Sequence, residues 1–304
     1  MNRILVIIAV FLLTACGTGI DVTEHVTEKD VEKAMTVGRQ SPVTLLPYAD
    51  SVPNWREGKR FVVTDSRANV LFASSSHSDL DSLRLAGQEL RYAGYTTGSL
   101  YDNQPRVSLK FVTADGDTLF YRTERKLEEF TSAFSIPMLI DLDMVEWYRR
   151  QILDKDFYVK TPIWYDAGSQ QMIRGRQFVR VHITDVRPGN KVMPLQVFFT
   201  VLDTRASAMV WMIDQRSSMR GRDFDALFQQ RDVRLDHPSI SDINWSHIVN
   251  GEIVPGMTKE ECLLAKGSPK RISRNPDQGG LREFWYYDGG SYLYFEDDLL
   301  MESR

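Results

Sequence analysis

The stretch that decides the fold class runs from residue 106 to residue 122 and reads RVSLKFVTADGDTLFYR. Its first half alternates apolar and polar side chains, with Val107 and Phe111 on the same side of the chain. An alternation with a period of two is typical of a β-strand that buries one face and leaves the other in water. The turn-forming sequence ADGD at 114–117 therefore predicts a β-hairpin that returns over 118–122.

The same alternation recurs later in the chain, at 179–184 and 195–201. Short strands separated by turns are typical of antiparallel sheets. We therefore predict two β-rich modules of SH3-like or small-barrel size, at 55–153 and 154–235, each with a helix near its end. Modules of this size generally bind other molecules or act as spacers.

The two modules also share a spacing. Gly87 and Gly175 each precede the start of an alternating strand by twenty residues. A helical pattern follows in each half, at 143–153 and 223–231, and the first of these begins with a capping-box sequence. Both an internal duplication and a chance similarity between two β-rich segments fit this pattern.

Near its C-terminal end the chain changes to helices followed by strands. A helix is predicted at 242–249, and Thr258 with Glu261 forms the capping box of a second helix. Two strands follow, at 282–287 and 292–296. The predicted fold class is therefore α+β, with β-rich modules followed by an ααββ module.

Four segments of this last module resemble the SmpA/OmlA family of BamE-like domains: PGMTKEE (255–261), KGSP (266–269), FWYY (284–287) and YLYFED (292–297). The resemblance covers under a quarter of the chain, and we assign the module to 236–304. It implies two helices packed on a small antiparallel sheet, and a role in assembling or maintaining the outer membrane. The chain departs from the family at CLLAK (262–266) and in the long β-rich part that comes first.

The chain begins with MNRILVIIAVFLLTAC, which has the parts of a secretion signal. Arg3 supplies a positive charge, and the apolar run at 4–13 is too short to span a bilayer, which needs about 20 residues. The sequence LTAC (13–16) resembles the lipobox of bacterial lipoproteins. The resemblance implies that residues 1–15 are removed and that Cys16 carries a covalent lipid. The alternative is an ordinary signal peptide that contains a cysteine.

Residues 16–54 are mostly polar and predict a flexible tether, with a short helix at 28–35. Gly17 follows the cysteine in place of the aspartate that retains some lipoproteins at the inner membrane. We therefore expect a lipid-anchored protein of the cell envelope, at the outer rather than the inner membrane. The membrane is then a partner through the lipid on Cys16.

The formal net charge of the 304-residue chain is −4. Nucleic-acid binding needs a basic surface, so nucleic acid is not an expected partner. The chain holds two cysteines, and with Cys16 lipidated, Cys262 has no partner for a disulfide bond. Cys262 lies on the inner side of a predicted helix, where a buried hydrophobe and a reactive thiol are both open interpretations.

The pattern of polar residues does not favour catalysis or metal binding. The five histidines are scattered and lack the spacing of a helical zinc site. Asp141 and Asp143 lie at a helix start, which accounts for both carboxylates, and SSSH at 74–77 is typical of a loop. We therefore predict no catalytic residue, no metal site and no cofactor besides the lipid.

The aromatic residues of the C-terminal strands are candidates for a binding surface. Trp285 and Tyr287, or the residues that alternate with them, would face away from the helices, with Tyr292 or Tyr294 across the hairpin. Exposed Trp and Tyr are favoured at protein interfaces. Burial of both sheet faces is the alternative interpretation.

The sequence as a whole predicts a non-enzymatic cell-envelope lipoprotein that binds or supports another envelope protein. The alternative is an envelope hydrolase, or a protein that binds glycan or peptidoglycan through the β-rich modules. A cleft in which titratable side chains converge would favour the enzyme. An aromatic surface without such a cluster would favour the binding protein.

Overall fold

The computed structural model describes residues 45–74, 83–98, 105–132, 134–214, 221–277 and 280–304. These residues belong to one unit, Gly38–Arg304, and form three antiparallel sheets. Cys16, the predicted signal peptide at 1–15 and the predicted helix at 28–35 lie outside the described residues.

The first sheet contains β1 (Arg60–Val63), β2 (Phe72–Ser74), β3 (Glu89–Gly98), β4 (Arg106–Val112), β5 (Thr118–Arg122) and β6 (Leu139–Asp141). Their order is β2-β5-β4-β3-β1-β6. The hairpin predicted at 106–122 is confirmed as β4 and β5. Phe111 of β4 is fully buried, and its ring contacts the rings of Phe61, Phe72 and Tyr92. These aromatic contacts form the centre of the first core.

The second sheet contains β7 (Asp156–Val159), β8 (Ile163–Asp166), β9 (Met172–Arg174), β10 (Val179–Pro188), β11 (Leu195–Val201), β12 (Ser207–Met212) and β13 (Phe228–Gln229). Their order is β13-β7-β10-β11-β12-β8-β9. The β-rich part of the predicted fold is thus confirmed. The chain has a helix between the two sheets, α1 (Leu142–Ile152), and the predicted helix at 223–231 is a single turn, α2 (Phe224–Leu227), which leads into β13.

The two sheets share one topology once β9 is left out. Read from β8 to β13, the second sheet matches the first strand for strand, with β10 in the place of β3 and β11 in the place of β4. Both β3 and β10 have ten residues, and each pairs with its neighbour across a β-bulge. This correspondence is the arrangement that an internal duplication produces.

Helix α1 (Leu142–Ile152) connects the two sheets. The carboxylate of Asp141 accepts hydrogen bonds from the main-chain N–H groups of Asp143 and Met144, so Asp141 is the N-cap. The buried face of α1, which includes Tyr148 and Ile152, packs into the core of the second sheet. The sequence assigned this helix to the first module, whereas its apolar face belongs to the second core.

Residues 45–54 precede the first strand and are packed against both sheets. Leu45 is buried in the second core and Val52 in the first. The main-chain N–H of Leu46 donates to Gln151 Oε1 at 2.8 Å, which attaches this segment to α1. The sequence included these residues in a flexible tether because of their prolines and polar residues, yet their few apolar side chains are enough to order them.

The C-terminal module differs from the predicted ααββ arrangement, which is wrong in its number of strands. Two helices, α3 (Asp242–Val249) and α4 (Lys259–Lys266), pack on a four-stranded sheet. The strands are β14 (Arg271–Asp277), β15 (Gly280–Tyr286), β16 (Tyr292–Glu296) and β17 (Leu299–Ser303), in that order. The two outer strands were missed because neither has a clear alternation of apolar and polar residues.

Local signals did locate both helices of this module. Helix α3 has the predicted bounds, and the hydroxyl of Ser241 caps it by accepting from the main-chain N–H of Asn244. Thr258 and Glu261 form the predicted capping box of α4. Within the ranges given above, no helix is long and apolar enough to cross a membrane.

Gln177 joins the second sheet to the C-terminal module and is 5% exposed. Its Nε2 donates to the main-chain oxygens of Ile248 and Leu264 at 2.8 Å and of Ala265 at 3.0 Å. The last carbonyls of a helix have no partner within the helix. One side chain therefore satisfies carbonyls at the C-terminal ends of both α3 and α4.

Candidate binding surface

The C-terminal sheet has one face against the helices and one face away from them. Alternation along β15 and β16 places Trp285, Leu293 and Phe295 on the inner face, where they are buried. Four half-buried aromatic residues lie on the opposite face, and we call them the outer aromatic face: Phe284, Tyr286, Tyr292 and Tyr294.

Two of the four residues predicted for this surface lie elsewhere. Trp285 is 3% exposed and packs on Phe295 inside the module. The hydroxyl of Tyr287 donates to the main-chain oxygen of Gly267 at 3.0 Å, and burial raises the pKa of Tyr287. Tyr292 and Tyr294 do lie on the outer aromatic face. An alternating sequence does not reveal which of its two faces meets the helices. The prediction therefore placed Trp285 and Tyr287 on the wrong face of the sheet.

The rings of the outer aromatic face are stacked on one another. Those of Phe284 and Tyr294 are 4.6 Å apart at an interplanar angle of 23°, and those of Phe284 and Tyr286 are 6.4 Å apart at 20°. The guanidinium of Arg271 lies 4.2 Å from the centre of the Tyr286 ring. Neighbouring groups therefore cover at least one face of each of the Phe284, Tyr286 and Tyr294 rings.

Charged side chains surround the row of rings, and most of them are paired. The hydroxyl of Tyr292 donates to Glu302 at 2.7 Å, and this bond raises the pKa of Tyr292. The hydroxyl of Tyr294 donates to Glu296, which also lies 3.5 Å from Arg282. The result is an aromatic centre with a charged rim, which is the usual anatomy of a protein interface.

A buried carboxylate, Glu283, supports the sheet from its inner face. Its Oε2 lies 2.8 Å from Arg274 Nε and 3.1 Å from Lys259 Nζ, and its Oε1 accepts from Trp285 Nε1. Burial alone would raise the pKa of Glu283, but the hydrogen bonds from Trp285 and Arg274 and the nearby ammonium of Lys259 hold it below its ordinary value. Glu283 therefore remains charged and fixes three side chains.

A second cluster of titratable groups surrounds Lys59, whose side chain is 2% exposed. Its Nζ lies 2.7 Å from the hydroxyl of Tyr48 and 2.8 Å from a carboxylate oxygen of Asp141. Asp50 at 3.1 Å and Asp143 at 3.3 Å complete the cluster. It lies beside a cleft of about 430 Å³ that Lys59, Asp50 and Asp143 help to line.

The chemistry of this cluster is that of a structural ion pair. Burial alone would lower the pKa of Lys59, but the charge of Asp141 and hydrogen bonds to Asp141 and Tyr48 raise it above its ordinary value. The amine therefore stays protonated and has no lone pair with which to attack a substrate or accept a proton. The two aspartates at the start of α1 were the only sign of this cluster in the sequence, because Tyr48 and Lys59 lie far from them along the chain.

Cys262 lies on the buried side of α4, where it contributes to the third core, the hydrophobic core of the C-terminal module. Burial and, to a smaller extent, the nearby charge of Glu261 raise the pKa of its thiol to about 12. A thiol that stays protonated at neutral pH is a weak nucleophile. Of the two open interpretations, the position of Cys262 fits the small buried hydrophobe.

The comparisons with known proteins add nothing to this geometry. No protein-family model matches the chain, and no curated protein or solved structure matches it. The resemblance to the SmpA/OmlA family therefore rests on the four quoted segments alone. Over the part of the chain that the structure describes, no group of His, Cys, Asp and Glu has the arrangement of a metal site.

Proposed function

We propose that this protein is a lipid-anchored, non-enzymatic component of the cell envelope that binds another envelope protein through the outer aromatic face. The observation that carries the proposal is the stacked row of Phe284, Tyr286 and Tyr294, which is half-buried and bordered by charges. Aromatic residues are enriched at the energetic centres of protein interfaces. The lipobox-like sequence before Cys16 supports an anchor, and the outer membrane is the proposed location.

The stacking of the rings favours a protein partner over a glycan or a nucleic acid. Bases bind to aromatic side chains by lying on an open ring face, and sugar rings bind in the same way. Here Phe284 lies between neighbours, and Arg271 covers Tyr286. Partly covered rings with tyrosine hydroxyl groups suit the mixed apolar and polar contacts of a protein interface.

The chemistry of the Lys59 cluster supports the non-enzymatic part of the proposal. It combines a cleft with converging carboxylates, which a hydrolase would need. Its lysine, however, is held as a cation, and the Asp141 carboxylate is occupied by that cation and by the start of α1. These groups hold the chain together and are not free to act on a substrate.

The proposal is tested by purifying the native lipoprotein from detergent-solubilised envelopes and identifying the proteins that come with it. The double variant Tyr286→Ala with Tyr294→Ala should lose the partner. Tyr95→Ala is the matched control, because Tyr95 is an exposed aromatic residue on the first sheet, 42% exposed. A partner retained equally by both variants, or a wild-type protein that comes alone, would overturn the proposal.

A further inference from the structure

Strand β14 forms one edge of the C-terminal sheet, next to the outer aromatic face. In the described residues it pairs with β15 and with no other strand. An edge strand leaves half of its main-chain N–H and C=O groups without a partner in the sheet. Pro276 lies within β14, and proline occurs in sheets mainly on such edges. Pro276 has no N–H to donate, so the part of this edge that can accept a further strand is residues 271–275.

The chain around this edge is basic although the whole protein is acidic. The sequence AKGSPKRISR at 265–274 holds four cationic side chains and no acidic one, whereas the net charge of the chain is −4. Lys270 is paired with Asp288, and Arg274 with the buried Glu283. The other two cations, Lys266 and Arg271, give the edge its unbalanced charge.

Lys266 and Arg271 are exposed, and each lies against an aromatic ring. The Nζ of Lys266 is 4.7 Å from the ring centre of Tyr287, and Arg271 covers Tyr286. Within the described ranges, neither has a carboxylate partner. Tyr286 is on the outer face of the sheet and Tyr287 is on the side of the helices, so the two cations lie on opposite faces of the sheet, at the end where β14 begins and β15 ends.

We propose that the partner binds by adding an extended acidic segment of its own chain to the edge of β14. This proposal rests on the proposed function and specifies the chemistry of its partner. Main-chain hydrogen bonds to β14 would supply the pairing. Because side chains alternate along a strand, carboxylates on one side of the segment would meet Arg271 and those on the other side would meet Lys266. Apolar residues of the partner outside this segment would contact the outer aromatic face, because β14 separates the added strand from β15.

The test uses the full mature chain and a short synthetic peptide of repeated Glu-Glu-Val-Thr units, in which neighbouring glutamates point to opposite sides of the strand. Its affinity, measured by fluorescence anisotropy, is compared with that of two matched peptides. One carries lysine in place of glutamate, and the other is N-methylated at alternate residues, which blocks strand pairing. The acidic peptide should bind about tenfold more tightly than either, and its affinity should fall as salt is added.

The variants Arg271→Glu and Lys266→Glu should each weaken binding of the acidic peptide by about tenfold. Arg187→Glu is the control, because Arg187 also lies over a ring, 4.4 Å from Phe198, but belongs to the second sheet. The proposal would be overturned if the lysine peptide or the N-methylated peptide bound as tightly as the acidic peptide. It would also be overturned if none of the three peptides bound. If the Tyr286 and Tyr294 variant loses the partner but no peptide binds to the wild-type chain, this proposal is rejected. The proposed function would then still stand.

Discussion

Lys59 Nζ lies 2.8 Å from a carboxylate oxygen of Asp141, and this contact ties the start of the first sheet to the start of α1. Lys59 immediately precedes β1 of the first sheet, while Asp141 is the N-cap of α1, whose apolar face fills the second core. The same ammonium contacts Asp50 in the packed segment before the first strand. One buried cation thus holds three parts of the chain together.

We expect Lys59→Met to destabilise the protein by about 3 kcal/mol, because it leaves the half-buried carboxylates of Asp50 and Asp141 without their counter-charge. Urea denaturation at neutral pH measures this loss as a change in the free energy of unfolding. Arg150→Met is the control, since Arg150 forms an exposed ion pair with Glu146 at 2.9 Å. The control should cost less than about 0.5 kcal/mol. Equal effects of the two substitutions would show that the Lys59 cluster does not stabilise the fold.

Glu283→Gln should make the stability of the protein less dependent on acid pH. The folded state holds the pKa of Glu283 below its ordinary value of 4.5, so this carboxylate stabilises the fold above that pH. The contribution is lost as the pH falls through the lower folded-state pKa. We expect the variant to be less stable by about 3 kcal/mol at neutral pH, with a smaller difference in acid.

Denaturation of both proteins at neutral pH and at a series of acid pH values tests this expectation. Glu146→Gln is the control, because the Glu146 side chain is 43% exposed and its loss should matter little at any pH. A stability difference between wild type and Glu283→Gln that stays constant down to strong acid would contradict the assigned ion pairs.

Gly175→Ala should destabilise the second sheet by about 3 kcal/mol, because the added methyl group overpacks the core. A Cβ at this position would lie 2.0 Å from Cδ2 of the buried Trp164 ring. That ring packs edge-on against Phe199, so it has little room to move. Thermal unfolding measures the effect, and Gly168→Ala is the control, with Asp166 Oδ1 at 3.6 Å as its nearest neighbour. Similar melting temperatures for the two variants would contradict the close contact.

Cys16→Ala should abolish lipidation and leave the leader uncleaved, if the lipobox-like sequence acts as proposed. Labelling cells with a radioactive fatty acid tests the first effect, and electrophoretic mobility tests the second. Cys262→Ala is the matched control, since Cys262 is the other cysteine and is buried in the third core. Labelling of Cys16→Ala at the wild-type level would reject the anchor.

Features that depend on neighbours along the chain could be predicted from the sequence. The ADGD turn and its alternating strands predicted β4 and β5, and the capping residues predicted α3 and α4. The face of a strand that is buried depends instead on what packs against it. The local sequence would allow either Trp285 or Phe284 to be the buried residue. The contact of Trp285 with Phe295 and the helices determines that Trp285 is buried.

The Lys59 cluster shows the same limit for titratable groups. The sequence predicts that Asp141 and Asp143 lie at the start of a helix, and the structure places them there. The lysine that they surround is more than eighty residues away in sequence, and Tyr48 belongs to a segment that looked like a tether. Only the fold of the first sheet against α1 brings these groups into contact.

The joint at Gln177 has a consequence for how this protein can change during evolution. The amide binds main-chain oxygens at the ends of α3 and α4, which every amino acid provides. Side chains of both helices can therefore be replaced without loss of the joint, provided that each helix keeps its length. Homologues of this chain would keep the same arrangement of modules after the helical sequences had diverged. We expect the glutamine at position 177 to be conserved among them.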